Sequence, residues 1–477
     1  MREFITSEDI YRVADAGKTE LHVIDEAVVT DVARETADRL GVRIITGDPV
    51  QEQDRISESV QVPGRAPRGG RRLIRLGSRS SAVGQEDGVE ATVERSPFTE
   101  EEMTRYRAKF PGLQNSIHLA NCSQGAQSKE VRDALEGYME NWRSSGMDWD
   151  YWVEEVNNAK AEFARFINAN ADDIAVVSSV SEAISSVASG IDFSGERNRV
   201  LLTEAEFPTV GHVWLAHKKY GAEVDFVPLN DGQLRLEDYD ALLDDRTFLT
   251  SVTHVYYQTG YKQDLKAVAD VVHRHGAYLL VDAYQSAGSC KIDVQESDVD
   301  ILTTGNLKYL LGVPGIAFVY LNPEVVPQLR PAETGWFGQE DPFAFDVKNL
   351  NYARTARRLE GGTPPVTAAF AARAGMELLR EVGLDRIGDH IDYLSAYCLR
   401  GALRRGLKVV SPLQVSKKGS TTSIEVPGDS HSVEMQLKSQ NIVTSARGQV
   451  VRLAPHFFNT PAEIDTALDA LSRILNR

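Results

Sequence analysis

Apolar runs of strand length alternate with helix-period segments from about Ser96 to Arg477. The five clearest runs are IAVVSS, VLLTEA, FLTSVTHV, AYLLVDA and VDILTTG. Strands buried on both faces of a mainly parallel sheet have this nearly continuous apolar character. Between them lie helical stretches such as LKAVADVVHRHG, which places Gly276 just past the helix end. The pattern predicts an α/β fold with a mainly parallel sheet.

The C-terminal part of this region follows a different pattern. Helix-period segments around 366–405 precede three short strands, LKVVS, TTSIEV and QVVRLAP, and a final helix, PAEIDTALDALSRIL. This succession is typical of a smaller α+β domain. We therefore predict a large domain at about 130–345, and a small domain formed by residues 98–129 together with 346–477.

The N-terminal hundred or so positions divide into two segments. Residues 1–48 predict a small folded unit, with a capping-box pattern at Thr6 and Asp9. A strand (LHVI), a helix (VTDVARETADRLG) and a second strand (VRIIT) follow. Residues 49–97 lose this periodicity and contain VPGRAPRGGRRLIRLGSRSSAVG, which is rich in Gly, Pro, Arg and Ser. Such a composition predicts a flexible linker.

Composition and charge restrict the class of protein. The 477 residues are 42% hydrophobic and 25% charged, as in ordinary globular proteins. A formal charge of −17 argues against nucleic-acid and anionic-membrane partners, which require positive charge. The sequence shows no apolar run near bilayer length, and MREFITSEDIYRV lacks the apolar core of a secretory signal. Cys122, Cys290 and Cys398 are too few for a disulfide framework or a zinc site. These features predict a cytoplasmic protein without a metal site.

The window 277–317 contains the strongest chemical signal. One buried strand ends in Asp282, and another precedes Lys308 and a turn rich in Gly and Pro. Ligands of open α/β sheets bind at the carboxyl ends of strands, so both side chains are expected in one crevice. Alone, Lys308 could be a surface lysine and Asp282 a strand-end cap. Together they match the needs of pyridoxal 5′-phosphate (PLP): a lysine forms the imine and an acid keeps the pyridine nitrogen protonated.

This window resembles the class V aminotransferase superfamily of PLP-dependent fold type I enzymes, which includes cysteine desulfurases and kynureninases. The resemblance covers roughly residues 98–470. The tetrapeptide from Asp282 to Gln285, DAYQ, matches the D-x-x-Q of the desulfurase branch. The resemblance implies that Asp282 contacts the pyridine nitrogen, that Gln285 contacts the ring oxygen and that Lys308 forms the Schiff base. It also implies an enzyme that acts on an L-amino acid.

The same resemblance suggests residues for the cofactor phosphate. Val180 and Ser181 directly follow the strand IAVVSS and match the family's phosphate cup, which needs a helix N-terminus. The alternative is that Ser181 is an ordinary N-cap. Thr304 is a further candidate hydroxyl, although the family's usual Ser or Thr sits one residue later, where this chain has Gly305.

Three more side chains match family positions for the ring and the substrate. Phe207 lies where desulfurases carry His and kynureninases carry Phe, and its ring could stack on the pyridine. Arg452, in VRLAPHFFNTPAEID, matches the arginine that grips the substrate carboxylate. Arg447 is a weaker candidate for a substrate side-chain contact. The alternatives are a core phenylalanine and a surface-paired arginine.

The branch of the family depends on a few positions. Desulfurization needs a nucleophilic cysteine shortly before the arginine, but residues 399–477 contain none. Cys398 lies in a helical pattern, where a buried structural thiol is expected, and Cys122 lies in the wrong part of the chain. We therefore do not expect a desulfurase.

Several phrases resemble kynureninase instead, namely HVYYQTG, EFPT, NLKYLLGVPGIAFVYL, GWFGQEDPFAF and RRLEGGTPPV. The resemblance implies that Trp336 and Thr363 help to bind phosphate and substrate, with Thr363 reaching across the interface of a homodimer. Two departures stand against it. Gln285 replaces a histidine, and Leu307 replaces a tyrosine that is a candidate proton donor.

Three functional classes stay open at this point. We favour kynureninase-like cleavage at the β-carbon of an amino acid, with transamination as the alternative. A non-catalytic scaffold is disfavoured because the catalytic pair is intact. Residues 1–48 faintly resemble the start of bacterial-microcompartment ethanolamine-utilization proteins, which implies a docking or targeting module. An unrelated appendage is the alternative.

Overall fold

The computed structural model divides into two compact units, Met1–Ser81 and Ala82–Arg477. Each unit is considered by itself. The structure describes residues 4–5, 10, 13–14, 17–23, 28–29, 31–46 and 88–476.

The described residues of the N-terminal unit include short parallel strand pairs and a helix. Its described elements are Phe4–Ile5 (β1), Glu20–Val23 (β2), Val28–Val29 (β3), Asp31–Leu40 (α1) and Arg43–Thr46 (β4). β1 pairs with β3, and β2 pairs with β4. Ile10, Val23, Ala33 and Ala37 belong to its small buried core. The helix and both strands match the predicted elements, whereas the predicted capping box at positions 6 and 9 lies outside the described residues.

A seven-stranded sheet forms the centre of the second unit. Its strands are Ile174–Val177 (β6), Arg199–Thr203 (β7), Glu223–Val227 (β8), Thr247–Thr253 (β9), Tyr278–Asp282 (β10), Ile301–Gly305 (β11) and Ala317–Leu321 (β12). They lie in the order β6-β12-β11-β10-β9-β7-β8. Only β12 runs antiparallel to its neighbours, β11 and β6. The predicted α/β fold is confirmed, and the five predicted apolar runs all form strands of this sheet.

Both faces of the sheet are buried, as the apolar composition of its strands requires. Along β6, Ile174 and Val176 belong to one apolar cluster, whereas Ala175 and Val177 belong to the other. The helices of the second unit are Glu100–Arg107 (α2), Lys129–Ser145 (α3), Trp149–Phe166 (α4), Val180–Ser189 (α5), Pro208–Ala216 (α6), Leu236–Leu242 (α7), Leu265–Arg274 (α8), Val366–Val382 (α9), Leu384–Arg404 (α10), Ser430–Lys438 (α11) and Pro461–Leu475 (α12). Helix α8 ends as predicted, with Gly276 in a left-handed conformation at φ +68°.

A smaller sheet lies in the C-terminal part. Its strands are Thr422–Glu425 (β13), Ser445–Arg447 (β15) and Val450–Leu453 (β16), all antiparallel. A separate parallel pair joins Ile442–Val443 (β14) to Ile117–His118 (β5). The segment before α3 therefore packs with the C-terminal region.

Residues 88–97, assigned from the sequence to the flexible linker, make specific contacts with the second unit. The backbone of Glu90 forms a bridge with Gln414, through hydrogen bonds to Leu413 (3.2 Å) and Val415 (2.9 Å). Val89 packs with an apolar cluster next to α10. This end of the predicted linker is thus part of the folded catalytic unit, because it has apolar side chains and backbone groups that the small domain can satisfy. Residues 49–87 lie outside the described chain.

Candidate active site

A cavity of about 350 Å³ opens at the carboxyl ends of β6, β7, β10 and β11. This is the position at which open α/β sheets bind their ligands. The predicted residues that line it are Val180, Ser181, Phe207, Asp282, Gln285, Lys308, Arg447 and Arg452. The structure therefore brings together side chains from both sheets of the second unit.

Lys308 follows β11 and extends its amine over two aromatic rings. Its Nζ lies 4.0 Å from the centroid of the Tyr284 ring and 5.9 Å from that of Phe207. Burial lowers the pKa of Lys308 to about 8, against the opposing effect of the Asp282 carboxylate. The positive charges of Arg452 and Arg447 contribute to this lowering of the pKa. A neutral amine is consequently accessible near neutral pH, as a nucleophilic lysine requires.

Asp282 is the last residue of β10 and is only 5% exposed. The backbone N–H of Tyr284 donates to its Oδ1 at 2.8 Å. Burial raises the pKa of Asp282, although this hydrogen bond and the charge of Lys308 act in the opposite direction. A buried carboxylate with few donors favours a cationic partner. A protonated pyridine nitrogen meets that requirement.

Gln285 leaves one buried polar atom unsatisfied. Its Nε2 donates to the carbonyl of Cys122 at 3.0 Å. Its Oε1 is buried, and no partner for it occurs in the part of the chain that the structure describes. An orphaned buried oxygen costs about 1–3 kcal/mol, so a polar group on a bound ring fits this position well. The residues present thus fit the ring of PLP.

The N-terminus of α5 forms the opposite end of the cavity. Its N-cap is Ser179, whose side chain accepts from the backbone N–H of Glu182. Ser181 is therefore not the N-cap, and its hydroxyl instead lies 2.7 Å from that of Thr209. Free N–H groups and the positive end of a helix favour phosphate here. Both hydroxyls line the cavity and are suited to hydrogen-bond a phosphate.

Thr304 is not brought into this site. It is completely buried outside the cavity lining, and its hydroxyl donates to the carbonyl of Gly305 at 2.9 Å. The predicted phosphate contact of Thr304 is therefore corrected by the structure.

Phe207 is the N-cap residue of α6, and its ring is 42% exposed. It meets Tyr257 edge to face at 5.3 Å. An exposed ring in a cavity excludes the alternative of a core phenylalanine. Its free face is available for an offset stack on a planar ring.

Arg452 lies on β16 and is 1% exposed. It donates to the carbonyl of Tyr257 (2.8 Å) and to the hydroxyls of Ser445 (2.6 Å) and Ser123 (3.1 Å). No carboxylate of the described chain lies within ion-pair distance of it. The alternative of a surface-paired arginine is therefore wrong. A buried guanidinium fixed in this way still lacks an anion, and a substrate carboxylate could supply it.

Arg447 shares the cavity but differs in environment. It is exposed, and residues 88–476 offer it no hydrogen-bond or ion-pair partner. In the antiparallel register Ser445 faces Arg452 and Arg447 faces Val450. Because alternate strand residues share a face, both arginines project from the same side of the hairpin.

Trp336 and Thr363 do not line this cavity. Trp336 instead stacks between Trp149 (5.9 Å) and Phe345 (6.0 Å), and Thr363 is exposed. The predicted role of Thr363 depends on a second subunit, and the roles of both residues in binding phosphate and substrate stay predictions.

The cysteines have distinct environments. Cys122 lines the cavity, whereas Cys398 is fully buried in α10, where burial raises its pKa to about 11. No cavity-lining position of β15 or β16 carries a thiol.

The cavity residues that sequence reasoning missed include Ser123, Thr209, Tyr257 and Tyr284. The last three lie within the phrases EFPT, HVYYQTG and DAYQ, so attention to every polar position of these phrases would have found them.

Among the described residues, no group of His, Cys, Asp and Glu side chains is suited to a metal ion. None of their helices combines the length and apolar character needed to cross a bilayer.

The fold and this set of side chains define a PLP-dependent enzyme of fold type I. The sequence profile of the class-V aminotransferases matches residues 122–463, and the chain belongs to that family. An aminotransferase of Bacillus subtilis (strain 168), named uncharacterized aminotransferase YcbU, is 40% identical over 370 residues, covering 77% of this chain and 97% of that protein. A cysteine desulfurase of Salmonella newport (strain SL254) is 29% identical over 311 residues, covering 62% and 76%.

Solved structures agree on the fold. A cysteine desulfurase from Thermococcus onnurineus NA1 has a TM-score of 0.72 at 22% identity, covering 80% of this chain and 100% of that one. A C-DES variant with glycine covalently linked to its PLP cofactor has a TM-score of 0.70 at 20% identity, covering 77% and 98%. The predicted family, fold, cofactor and enzymatic nature are thereby confirmed. The predicted kynureninase-like reaction is not specifically supported by these relatives.

Proposed function

We propose that this enzyme transaminates an L-amino acid, with Lys308 as the group that carries the proton. The observation behind the proposal is the pKa of Lys308, which burial lowers to about 8 in a cavity that also contains Asp282. A general acid–base works best when its pKa lies near the operating pH. Transamination needs one such group beside the reacting carbon, and the 40% identical relative bears an aminotransferase name.

The remaining side chains bind and orient. Arg452 would bind the α-carboxylate of the substrate. Phe207 would stack on the pyridine ring of PLP. Asp282 would keep the pyridine nitrogen protonated. Bound PLP supplies an electron sink for the bonds around the substrate's α-carbon. The protein then determines which of those bonds is aligned for reaction.

Cleavage at the β-carbon is a second candidate. Tyr257, within the kynureninase-like phrase HVYYQTG, lines the cavity beside Phe207. Its hydroxyl has no hydrogen-bond partner among residues 88–476 and could protonate a leaving group. Leu307, in place of the family's tyrosine, argues against this reaction.

A single-turnover experiment distinguishes the two reactions. A transaminase mixed with its amino acid in the absence of a keto acid leaves the cofactor as pyridoxamine phosphate, whereas a β-cleaving enzyme returns the lysine-bound form. Tyr257→Phe should preserve the first reaction and slow the second by about 10²-fold or more. Recovery of the lysine-bound form at each turnover, with loss of rate in Tyr257→Phe, would reject transamination.

Desulfurization is not proposed, despite the desulfurase names of several relatives. The hairpin that carries Arg447 and Arg452 has no cysteine where such an enzyme requires its nucleophile. Cys122 enters the cavity from the segment before α3.

We also propose a homodimer. Large apolar side chains are exposed along one stretch of the second unit, at Phe343, Phe345, Val347 and Leu350. Exposed apolar patches of this kind commonly mark subunit interfaces. Thr363 lies outside the cavity of its own chain, as a residue that binds a partner's phosphate would.

Mixing Lys308→Ala with Thr363→Ala subunits should then restore some activity, because one site of each heterodimer is intact. A fully active monomer at high dilution would contradict the proposal.

Residues 1–48 are proposed as a docking or targeting module in a cytoplasmic enzyme. Their described part has its own small core, and the cavity takes no residue from it. A fluorescent protein fused to this segment should localise like the full chain. Uniform distribution of the fusion, against a localised full chain, would refute the module.

A further inference from the structure

We propose that Tyr284 is a ligand of the cofactor phosphate, its phenol supplying the hydroxyl that the end of β11 lacks. The proposal concerns the cofactor site and does not depend on which reaction the enzyme catalyses.

The geometry begins with the row of residues at the carboxyl edge of the sheet. Gly305 on β11 is in register with Ala317 on β12, which is in register with Val177, the last residue of β6. Strands are about 4.8 Å apart, so Gly305 lies roughly 10 Å from Val177. Val177 leads through Ser179 into α5, whose N-terminus forms the phosphate end of the cavity.

Tyr284 extends from β10 across this row. On β10, Asp282 is in register with Thr303, so Tyr284 is level with Gly305. A Cβ on Gly305 would lie 2.2 Å from Cζ and 2.3 Å from Oη of Tyr284. The phenol end therefore fills the space where any side chain at position 305 would begin. It also packs against the apolar cluster that contains Val180 of α5.

This position gives the phenol a free donor that faces the cavity. Tyr284 lines the cavity, yet its hydroxyl has no hydrogen-bond partner within residues 88–476. Burial, with the negative charge of Asp282, raises the pKa of Tyr284 to about 12, so it stays protonated at neutral pH. The neighbouring hydroxyl of Thr304 is already committed to the carbonyl of Gly305. A dianionic phosphate at the N-terminus of α5 is the acceptor that this donor fits.

The absence of a side chain at Gly305 is thus connected to the tyrosine at 284. The two positions form an exchangeable pair: either a hydroxyl side chain at 305 with a small residue at 284, or glycine at 305 with a tyrosine. The present chain has the second arrangement.

The first test compares two ligands in Tyr284→Phe, which keeps the ring and removes only the hydroxyl. The full-length apoenzyme is titrated with PLP and with pyridoxal, which lacks the phosphate, by the visible absorbance of the lysine-bound cofactor. We expect the Kd for PLP to rise about tenfold and the Kd for pyridoxal to stay unchanged. An unchanged Kd for PLP, or an equal loss for both ligands, would overturn the proposal, because the second result indicates packing alone.

The second test exchanges the pair. Gly305→Ser alone should weaken PLP binding strongly, since its Cβ would collide with the tyrosine ring. Tyr284→Ala alone should lose the hydroxyl contact. The double variant Tyr284→Ala with Gly305→Ser should bind PLP more tightly than either single variant, because a serine hydroxyl replaces the phenol. Circular dichroism melts identify any variant that fails to fold, and Tyr284→Phe then remains as the conservative test. Strictly additive losses in folded variants would refute the exchange.

Discussion

The base of the cavity and its rim are built in different ways. At the base, Asp282, Gln285 and Lys308 come from one stretch of sequence and are fixed by adjacent parallel strands of the large sheet. At the rim, Arg447 and Arg452 come from a hairpin of the small sheet far along the chain. In the proposed function, the base of the cavity would hold the cofactor and the rim would supply the charge that recognises a substrate. The two halves therefore depend on different interactions.

The charged groups at the base and at the rim of the cavity also differ. The base contains a carboxylate beside an amine, and each alters the pKa of the other. The rim contains two guanidinium groups with no carboxylate of the described chain paired to either. Charge in the base is balanced within the protein, whereas charge in the rim would be balanced by an anionic ligand under the proposed function. Variants of the base should change the chemical step, and variants of the rim should change substrate binding.

The largest effect is expected for Lys308→Ala, which should abolish turnover and the visible absorbance of the lysine-bound cofactor. Lys418 provides a matched comparison, because burial lowers its pKa to about 8 as well. It lies outside the cavity, where its amine donates to the carbonyls of Gly419 (3.0 Å) and Ser420 (3.3 Å). Borohydride reduction and peptide mapping of the wild-type enzyme should label Lys308 alone. A labelled Lys418 would show that pKa, and not position, selects the lysine.

Asp282→Asn should have the next largest effect. A neutral amide cannot hold the pyridine nitrogen protonated, so kcat should fall by about 10²–10³-fold while PLP remains bound. Absorbance measures cofactor content, and steady-state rates measure turnover. Near-normal kcat in this variant would show that Asp282 is not needed for catalysis.

The matched pair Arg452→Lys and Arg447→Lys tests the rim. Arg452 is buried with fixed donors, so its replacement should raise KM by about ten- to a hundredfold. Arg447 is exposed and unpaired within the described chain, so the same change should alter KM by about threefold or less. Both variants should retain PLP. The reverse ranking would make Arg447 the carboxylate ligand and Arg452 a structural residue.

The contrast also explains what the sequence could predict. The base was predictable because strand ends, helix starts and a short chemical motif lie close together along the chain. β8 was missed because this edge strand alternates buried and exposed residues and lacks a continuous apolar run. β12 is a fully buried apolar strand, AFVYL, which the sequence pattern could have shown. Arg452 is held in place by hydrogen bonds to Ser123 and to the carbonyl of Tyr257, and both residues are remote from it in sequence. Local patterns do not contain such contacts. Tyr284 and Tyr257, in contrast, lie within the phrases DAYQ and HVYYQTG and could have been found from them.

The smallest effect is expected at the N-terminus, where two deletions should differ. Removing residues 1–81 should leave PLP content, turnover and melting temperature nearly unchanged, because the second unit begins at Ala82 and all cavity residues lie within it. Removing residues 1–95 also deletes the backbone bridge between Glu90 and Gln414 and the packing of Val89.

Loss of that packing should cost about 1–2 kcal/mol of stability and lower the melting temperature by a few degrees. No residue that lines the cavity belongs to the deleted segments, so PLP content should stay constant in both deletions. Calorimetry and absorbance would measure the two effects separately. Equal melting temperatures would show that residues 88–95 contribute nothing to the fold. Loss of turnover with full PLP content after removal of residues 1–81 would assign the N-terminal unit to the substrate entrance. The rim of the cavity would then include residues of the N-terminal unit, in addition to Arg447 and Arg452.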